Sequence, residues 1–181
     1  GSIVGAVQDF IGDRIKSAIG LMPDEAYFNA GMLLIDVDEW RRQDVGSACL
    51  AFIDAHHGNV THHDQGVLNG VLHDRRMILP ARYNLMTIHY VFNRRKLVRY
   101  FDDHAAFYSE GDIDEAKCAP AILHYTPSFT ARPWIRTCRH PKKQAYWDSL
   151  YNTPWRGIGP AADKTKWYIR LINWRYRRLP F

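Results

Sequence analysis

The chain has 181 residues, one domain's worth of polypeptide or part of a larger domain. Apolar residues make up 46% of it, enough for a core, and nowhere do they approach the ~18 in a row that a membrane span needs. Its net charge of +5 suits an acidic partner, with much of the excess after Asp163. The opening Gly1-Ser2-Ile3-Val4 has neither a basic region nor a hydrophobic leader, so no signal peptide is read. Three cysteines, Cys49, Cys118 and Cys138, share no metal-ligand spacing, and a reducing cytoplasm is the expected setting.

In chain order, Ile3–Gln8 reads as a strand. If it is parallel and buried, its neighbours should come from sequence ahead of residue 1. Asp9 lies just past its carboxyl end, where open α/β sheets put ligands; a turn or helix cap accounts for it equally. Met32–Ile35 is an unbroken apolar run too short for a helix, expected as a strand buried on both faces inside an α/β sheet. Its entrance, Phe28-Asn29-Ala30-Gly31, is polar and small. Asn29 either serves a site or caps its own backbone in a turn.

A helix is expected from about Glu39 to His56, capped by Asp36 or Asp38. Thr61 is a plausible N-cap for the next one, with Asp64 and Gln65 in its first turn beside free N–H groups. Read plainly, Asp64 is a capping acid and His62 and His63 face solvent; adjacent histidines are poorly placed to converge on one zinc ion. Met77–Pro80 is a short strand. Residues 93–117 read as one amphipathic helix, its Arg94-Arg95-Lys96 a solvated face rather than a nucleic-acid contact, with Leu97, Val98, Tyr100 and Phe101 against the body.

Ala119–Tyr125 reads as a strand whose end carries His124. A loop follows through Ser128 to Arg132-Pro133-Trp134. Such an array suits a metal–phosphate site, histidine as ligand and arginine as phosphate fork. A core histidine and an arginine stacked on Trp134 fit as well. Pro141–Tyr151 is a short helix. From Lys164 the chain is basic and aromatic with helical spacing, either an anchor for anionic lipid or a helix packed on the domain with its arginines in water.

Taken together, these pieces resemble glycosyltransferase family 8, the retaining enzymes that include galactosyltransferases and glycogenin. The matching segments are Ala6-Val7-Gln8-Asp9, Tyr27–Ile35, Asp64–Asn69, Tyr83-Asn84, His124-Tyr125, Arg132-Pro133-Trp134, and Trp147 to Thr153-Pro154-Trp155. They occur in the family's order and cover residues 3–155. The resemblance implies an α/β fold, the carboxyl-terminal portion of a GT-A nucleotide-diphospho-sugar transferase fold over residues 1–158. A basic aromatic helix or tail would follow over residues 159–181.

It further implies a transferase moving galactose or glucose from a UDP-hexose to a saccharide or lipid-linked saccharide acceptor, as in lipopolysaccharide or cell-surface glycan synthesis. Asn29, Ala30 and Gly31 would bind the donor hexose, Asp64 its hydroxyls, and Asp9 the sugar or acceptor hydroxyls. Gln65 would lie beside the anomeric carbon. Arg132, where the family often has lysine, and Ser128 would meet the diphosphate. His124 would ligate Mn²⁺ or Mg²⁺. The implied location is cytoplasmic, peripheral on the inner membrane face through residues 164–181, and no nucleic acid partner is expected.

Two departures stand out. The family's Asp-x-Asp metal motif normally precedes the Ala-Val-Gln-Asp strand; the comparable Asp36-Val37-Asp38 follows the wrong strand. Pro127-Ser128-Phe129 also replaces a glycine of the family's phosphate loop. The rival expectation is a catalytically incomplete fragment, or a module binding glycan or membrane without transfer.

Overall fold

A computed structural model describes residues 1–178 apart from His104 and Ser128, with Tyr176 and Arg177 described as backbone only. The elements, in chain order, begin with β1 (Val4–Asp9), α1 (Asp13–Ala18), β2 (Tyr27–Ile35), α2 (Val37–Arg42), α3 (Val45–Ala55) and α4 (His63–Leu72). Next come β3 (Arg76–Ile78), a 3₁₀ turn over Ala81–Asn84, β4 (Leu85–Met86), α5 (Ile88–Val91), α6 (Arg94–Phe101) and α7 (Glu110–Cys118). The chain closes with β5 (Leu123–His124), α8 (Lys143–Tyr151) and α9 (Trp167–Arg178). It divides into two compact units, Gly1–Asn84 with Arg94–Ile122, and Leu85–Asn93 with the chain from Leu123 onward.

The first unit is built on a three-stranded sheet of order β2-β1-β3, with β1 antiparallel to β2 and parallel to β3. The most continuously buried strand of this sheet, β1, takes the central place, with both of its partners, β2 and β3, downstream in the chain. Ile3, Val4, Ala6, Phe28, Val45 and Leu72 form the core beside it. β2 is the edge strand of this sheet, not an interior one: Leu34 is 60% exposed and Ile35 38%. An apolar run reports hydrophobicity but not how many faces are covered, so edge and interior strands look alike in sequence.

Register along β2 is broken where the polar residues lie. Ala6 pairs with Leu33, but Gln8 pairs with Phe28, so Asn29–Met32 bulge out opposite Val7. A bulge removes residues from the ladder and re-aims their side chains.

The helix expected over 39–56 is two helices. Asp36 accepts from Glu39 N–H at 3.0 Å and caps α2, and Asp44, at φ 48°, breaks the path before α3. Thr61 does not cap α4. His62 takes the cap position at φ 62°, and the Thr61 carbonyl instead faces Gly66, where an added Cβ would lie 1.9 Å from that oxygen. The 93–117 helix also divides: α6 ends at Phe101, Asp102 turns at φ 52°, and Ser109 opens α7 with a capping box. Leu97 is buried but Tyr100 is exposed.

Within the second unit β4 and β5 pair in parallel, Leu85 with Leu123 and Met86 with His124. The strand expected over 119–125 is thus only two residues long. Ala121 and Ile122 N–H groups leave any ladder to share the Arg82 carbonyl at 3.0 and 3.1 Å. Further along, Ala161 N–H donates to the Trp134 carbonyl and Arg136 N–H to that of Ala161.

Candidate functional site

The β2 bulge meets the end of β1 and the start of α4 in a polar network. Asn29 donates through Nδ2 to Asp9 Oδ2 at 2.8 Å, while its Oδ1 accepts from Gly31 N–H at 2.9 Å and from Asn84 Nδ2 at 2.8 Å. As the turn expectation for Asn29 has it, its side chain caps its own backbone at the bulge, and it also reaches the Asp9 carboxylate. Gln65 closes the other side, accepting from Ala30 N–H at 3.0 Å and donating to the same Asp9 oxygen at 3.2 Å. Asp9 Oδ1 accepts from Phe10 N–H.

Asn69 locks the arrangement. One helical turn after Gln65, it accepts from Phe28 N–H and donates to the Phe28 and Gln65 carbonyls, all at 2.8 Å. It replaces a strand neighbour at the edge of β2, so Phe28's backbone is satisfied while the next residues bulge. Asn69 and Asn84 received no role from sequence. The Gln65–Asn69 spacing, which puts both on one helix face, was the available signal.

Burial is the largest influence on Asp9 and pushes its carboxyl up from 3.8, against hydrogen bonds from Asn29, Phe10 and Gln65 that pull it down. A nearby Tyr27 phenol, fully buried, is also raised by desolvation, and its oxygen lies 3.3 Å from His62 Nδ1. Asn84 is fully buried, and its Oδ1 has no hydrogen-bond partner among the described residues. A carboxylate and an amide oxygen with spare acceptor capacity suit a ligand rich in hydroxyl donors.

Asp64 lies in the exposed first turn of α4, next to Gln65, and with His63 it also borders a groove lined by Cys49, Ile53, Val60 and Val67. His124 and Arg132 belong to the second unit. The His124 carbonyl accepts from Thr87 and Thr126 N–H groups, and the Arg132 guanidinium stands 5.4 Å from the Trp134 ring centroid. Ser128 lies outside the described residues. Phe129 sits at φ 55°, its ring 4.9 Å from that of Phe92. Phe129 thus holds a left-handed conformation that a glycine would adopt without strain, at a cost of ~1–2 kcal/mol. Among the described residues no group of three His, Cys, Asp or Glu side chains is placed to hold a metal ion.

The model of the glycosyl transferase family 8 matches residues 1–138. The chain belongs to that family. General stress protein A of Bacillus subtilis (strain 168) is 27% identical over 161 residues, covering 88% of this chain and 53% of the relative. The lipopolysaccharide glucosyltransferase WaaO of Escherichia coli (strain K12) is 25% identical over 136 residues, 73% of this chain and 35% of WaaO. Among solved structures, the galactosyltransferase LgtC in complex with donor and acceptor sugar analogues aligns with a TM-score of 0.63 and 27% identity, over 86% of this chain and 55% of LgtC. The α/β topology with open sheets matches the GT-A-like fold of such family 8 neighbours. The chain spans about half the length of the first of these relatives and of LgtC.

Proposed function

We propose that the chain is the carboxyl-terminal portion of a retaining hexosyltransferase, which moves galactose or glucose from a UDP-sugar to a saccharide or lipid-linked saccharide acceptor. Residues 1–158 would be the partial catalytic domain and residues 159–181 its basic tail. The observation that carries this reading is the hydrogen-bonded run Asn84–Asn29–Asp9–Gln65 around the β2 bulge, with the buried Asn84 Oδ1 still able to accept.

Breaking a glycosyl–phosphate bond builds positive charge on the sugar ring and negative charge on the departing diphosphate. In this reading Asn29, Ala30 and Gly31 hold the hexose, Asp64 takes its hydroxyls, and the Asp9 carboxylate and Gln65 amide oxygen stabilise the ring. An amide is a poor nucleophile beside a carboxylate, which favours front-side attack by the acceptor hydroxyl. Arg132 and Ser128 would meet the diphosphate, Arg132 as a fixed cation.

Family membership is consistent with dependence on a divalent cation, Mn²⁺ or Mg²⁺, which would supply Lewis-acid stabilisation of the diphosphate. The described residues do not by themselves fit such an ion, because no group of three His, Cys, Asp or Glu side chains among them is placed to hold one. The isolated 181-residue chain is accordingly expected to be inactive or nearly so in transfer. UDP-sugar turnover above that of His124→Ala would overturn that expectation.

No helix among the described residues is long and apolar enough to cross a membrane. α9 leaves Trp167, Leu171, Ile172 and Trp174 about half exposed or more, alongside its arginines. This supports peripheral contact of residues 164–181 with an anionic surface, for which we propose the inner face of the cytoplasmic membrane.

Saturation-transfer NMR with UDP-galactose and UDP-glucose tests the sugar site. Saturation should reach the hexose ring protons more strongly than the uracil protons, and Asn29→Ala should abolish the hexose signal. Uracil-only saturation, or a hexose signal unchanged in Asn29→Ala, would defeat the proposal.

A further inference from the structure

Within the second unit, α9 and the loop from Phe129 to Arg139 line a half-open cavity of about 520 Å³. That lies in the 300–1,000 Å³ range of small-ligand sites. Its cations are Arg139, Arg170 and Arg178, and its one acid is Asp163.

The acid is already engaged. Asp163 accepts from the Thr137 hydroxyl and from Thr165 N–H, and its Oδ2 lies 3.2 Å from the Arg170 guanidinium. One arginine is thereby neutralised. Arg139 and Arg178 make no salt bridge among the described residues, and Arg178 lies over the Trp174 ring at 4.8 Å. Three cations less one acid leave a surplus of two positive charges, with Thr130 and Asn173 as neutral hydrogen-bonding groups. Two guanidinium forks facing one cavity match the tetrahedral oxygens of phosphate. The doubled surplus fits a phosphomonoester or diphosphate better than a single carboxylate. Because the cations line one half-open cavity instead of running along a face, the arrangement suits a compact anion that can enter from solvent.

We propose that this cavity binds the phosphate group of a phosphorylated ligand, with Arg139 and Arg178 as its charged contacts and Asn173 as a neutral one. The site is separate from Arg132, which does not line the cavity. The same phosphate chemistry is offered by a free phosphate compound or by a lipid headgroup.

Two binding measurements test the assignment on the 181-residue chain. Calorimetric titration uses inorganic pyrophosphate. Co-sedimentation uses phosphatidylcholine vesicles with and without phosphatidylglycerol, and with pyrophosphate as competitor. Arg139→Gln and Arg178→Gln should each weaken pyrophosphate binding about tenfold, while Arg99→Gln, the same charge change on exposed α6, should not. Vesicle binding that needs phosphatidylglycerol, is competed by pyrophosphate and falls in Arg139→Gln assigns the source to a lipid headgroup. Pyrophosphate binding without vesicle binding assigns it to a free phosphate compound. No pyrophosphate binding, or losses equal in Arg99→Gln and the cavity variants, would overturn the proposal, because charge alone would then explain any attraction.

Discussion

Asn84 donates its side-chain amide to Asn29 Oδ1 across 2.8 Å, though the two are 55 residues apart, and both side chains are buried. That bond couples the 3₁₀ turn to the β2 bulge. Replacing Asn29 with Ala leaves the Asn84 amide, the Gly31 N–H and one Asp9 oxygen short of partners. Each such loss costs ~1–3 kcal/mol where water cannot substitute. Asn29→Ala should therefore lower unfolding free energy in urea by more than Asn84→Ala, which leaves Asn29 Oδ1 still accepting from Gly31 N–H. Equal losses would show that the bulge does not depend on Asn29.

Asp9 gives the same network a pH signature. Its folded carboxyl is raised above 3.8 by burial, so the folded protein holds the proton more tightly than the unfolded chain does. Stability from this group is fully present below 3.8 and is lost as pH rises through the folded value. Asp9→Asn removes the dependence. Plotted against pH from 3 to about 7, the stability of wild type minus that of Asp9→Asn should decline as pH rises. A rising difference would mean that the hydrogen bonds from Asn29, Phe10 and Gln65 outweigh desolvation.

Lys16 and Asp103 form an ion pair at 2.6 Å with side chains 0% and 2% exposed. Lys16 Nζ also donates to the Pro23 carbonyl, and Asp103 accepts from Ile11 and Ala105 N–H. Lys16→Met strands a buried carboxylate and should cost ~3–5 kcal/mol. Adding Asp103→Asn removes that charge and keeps an oxygen for one of the two N–H donors, which bond different carboxylate oxygens, so the double variant should recover part of the loss. A further loss in urea denaturation would contradict this account of the pair.

Two helical glycines should respond oppositely to alanine. At Gly66 the new Cβ would meet the Thr61 carbonyl, a backbone atom that cannot swing aside. Overpacking of this kind costs ~1–3 kcal/mol. Gly46, in exposed α3, has nothing within 4 Å of an added Cβ, and Gly46→Ala should stabilise by ~0.4–1 kcal/mol. Thermal unfolding of the two variants separates these outcomes. A stabilised Gly66→Ala would mean that α4 shifts freely away from Thr61.

What the sequence disclosed follows from the range over which each signal acts. A cap at Asp36 or Asp38, a helix over Pro141–Tyr151 and the helical phase of the tail are set by neighbours a few residues apart, and the structure has Asp36 as the cap, α8 over Lys143–Tyr151 and α9 over Trp167–Arg178. The bulge at Asn29–Met32 depends on Asn69 meeting Phe28, 41 residues away, and on which strand lies beside β2. Neither is written in the YFNAG segment. Breaks at Asp44 and Asp102 were missed because a left-handed aspartate has no stronger mark than an ordinary helix-surface aspartate. Lys16 carried no signal in the sequence, because its partner Asp103 lies 87 residues on.

The tail offers a final test through Asp163. Its carboxyl is held at about 2, first by the Thr137 hydroxyl and then by Thr165, with Arg170 adding attraction. A depressed carboxyl contributes stability that is present above the unfolded value of 3.8 and is lost as pH falls through about 2. The attachment of α9 to the Thr137 loop should therefore persist well into acid and then fail. Because the Thr137 hydroxyl is the largest cause of the depression, Thr137→Val should move that failure upward, toward 3.8. Tryptophan fluorescence followed down a pH titration reads the change through Trp167 and Trp174, with Asp163→Asn as the variant lacking the transition. If Thr137→Val left the midpoint where it stands in wild type, the hydroxyl would not be what keeps Asp163 ionised.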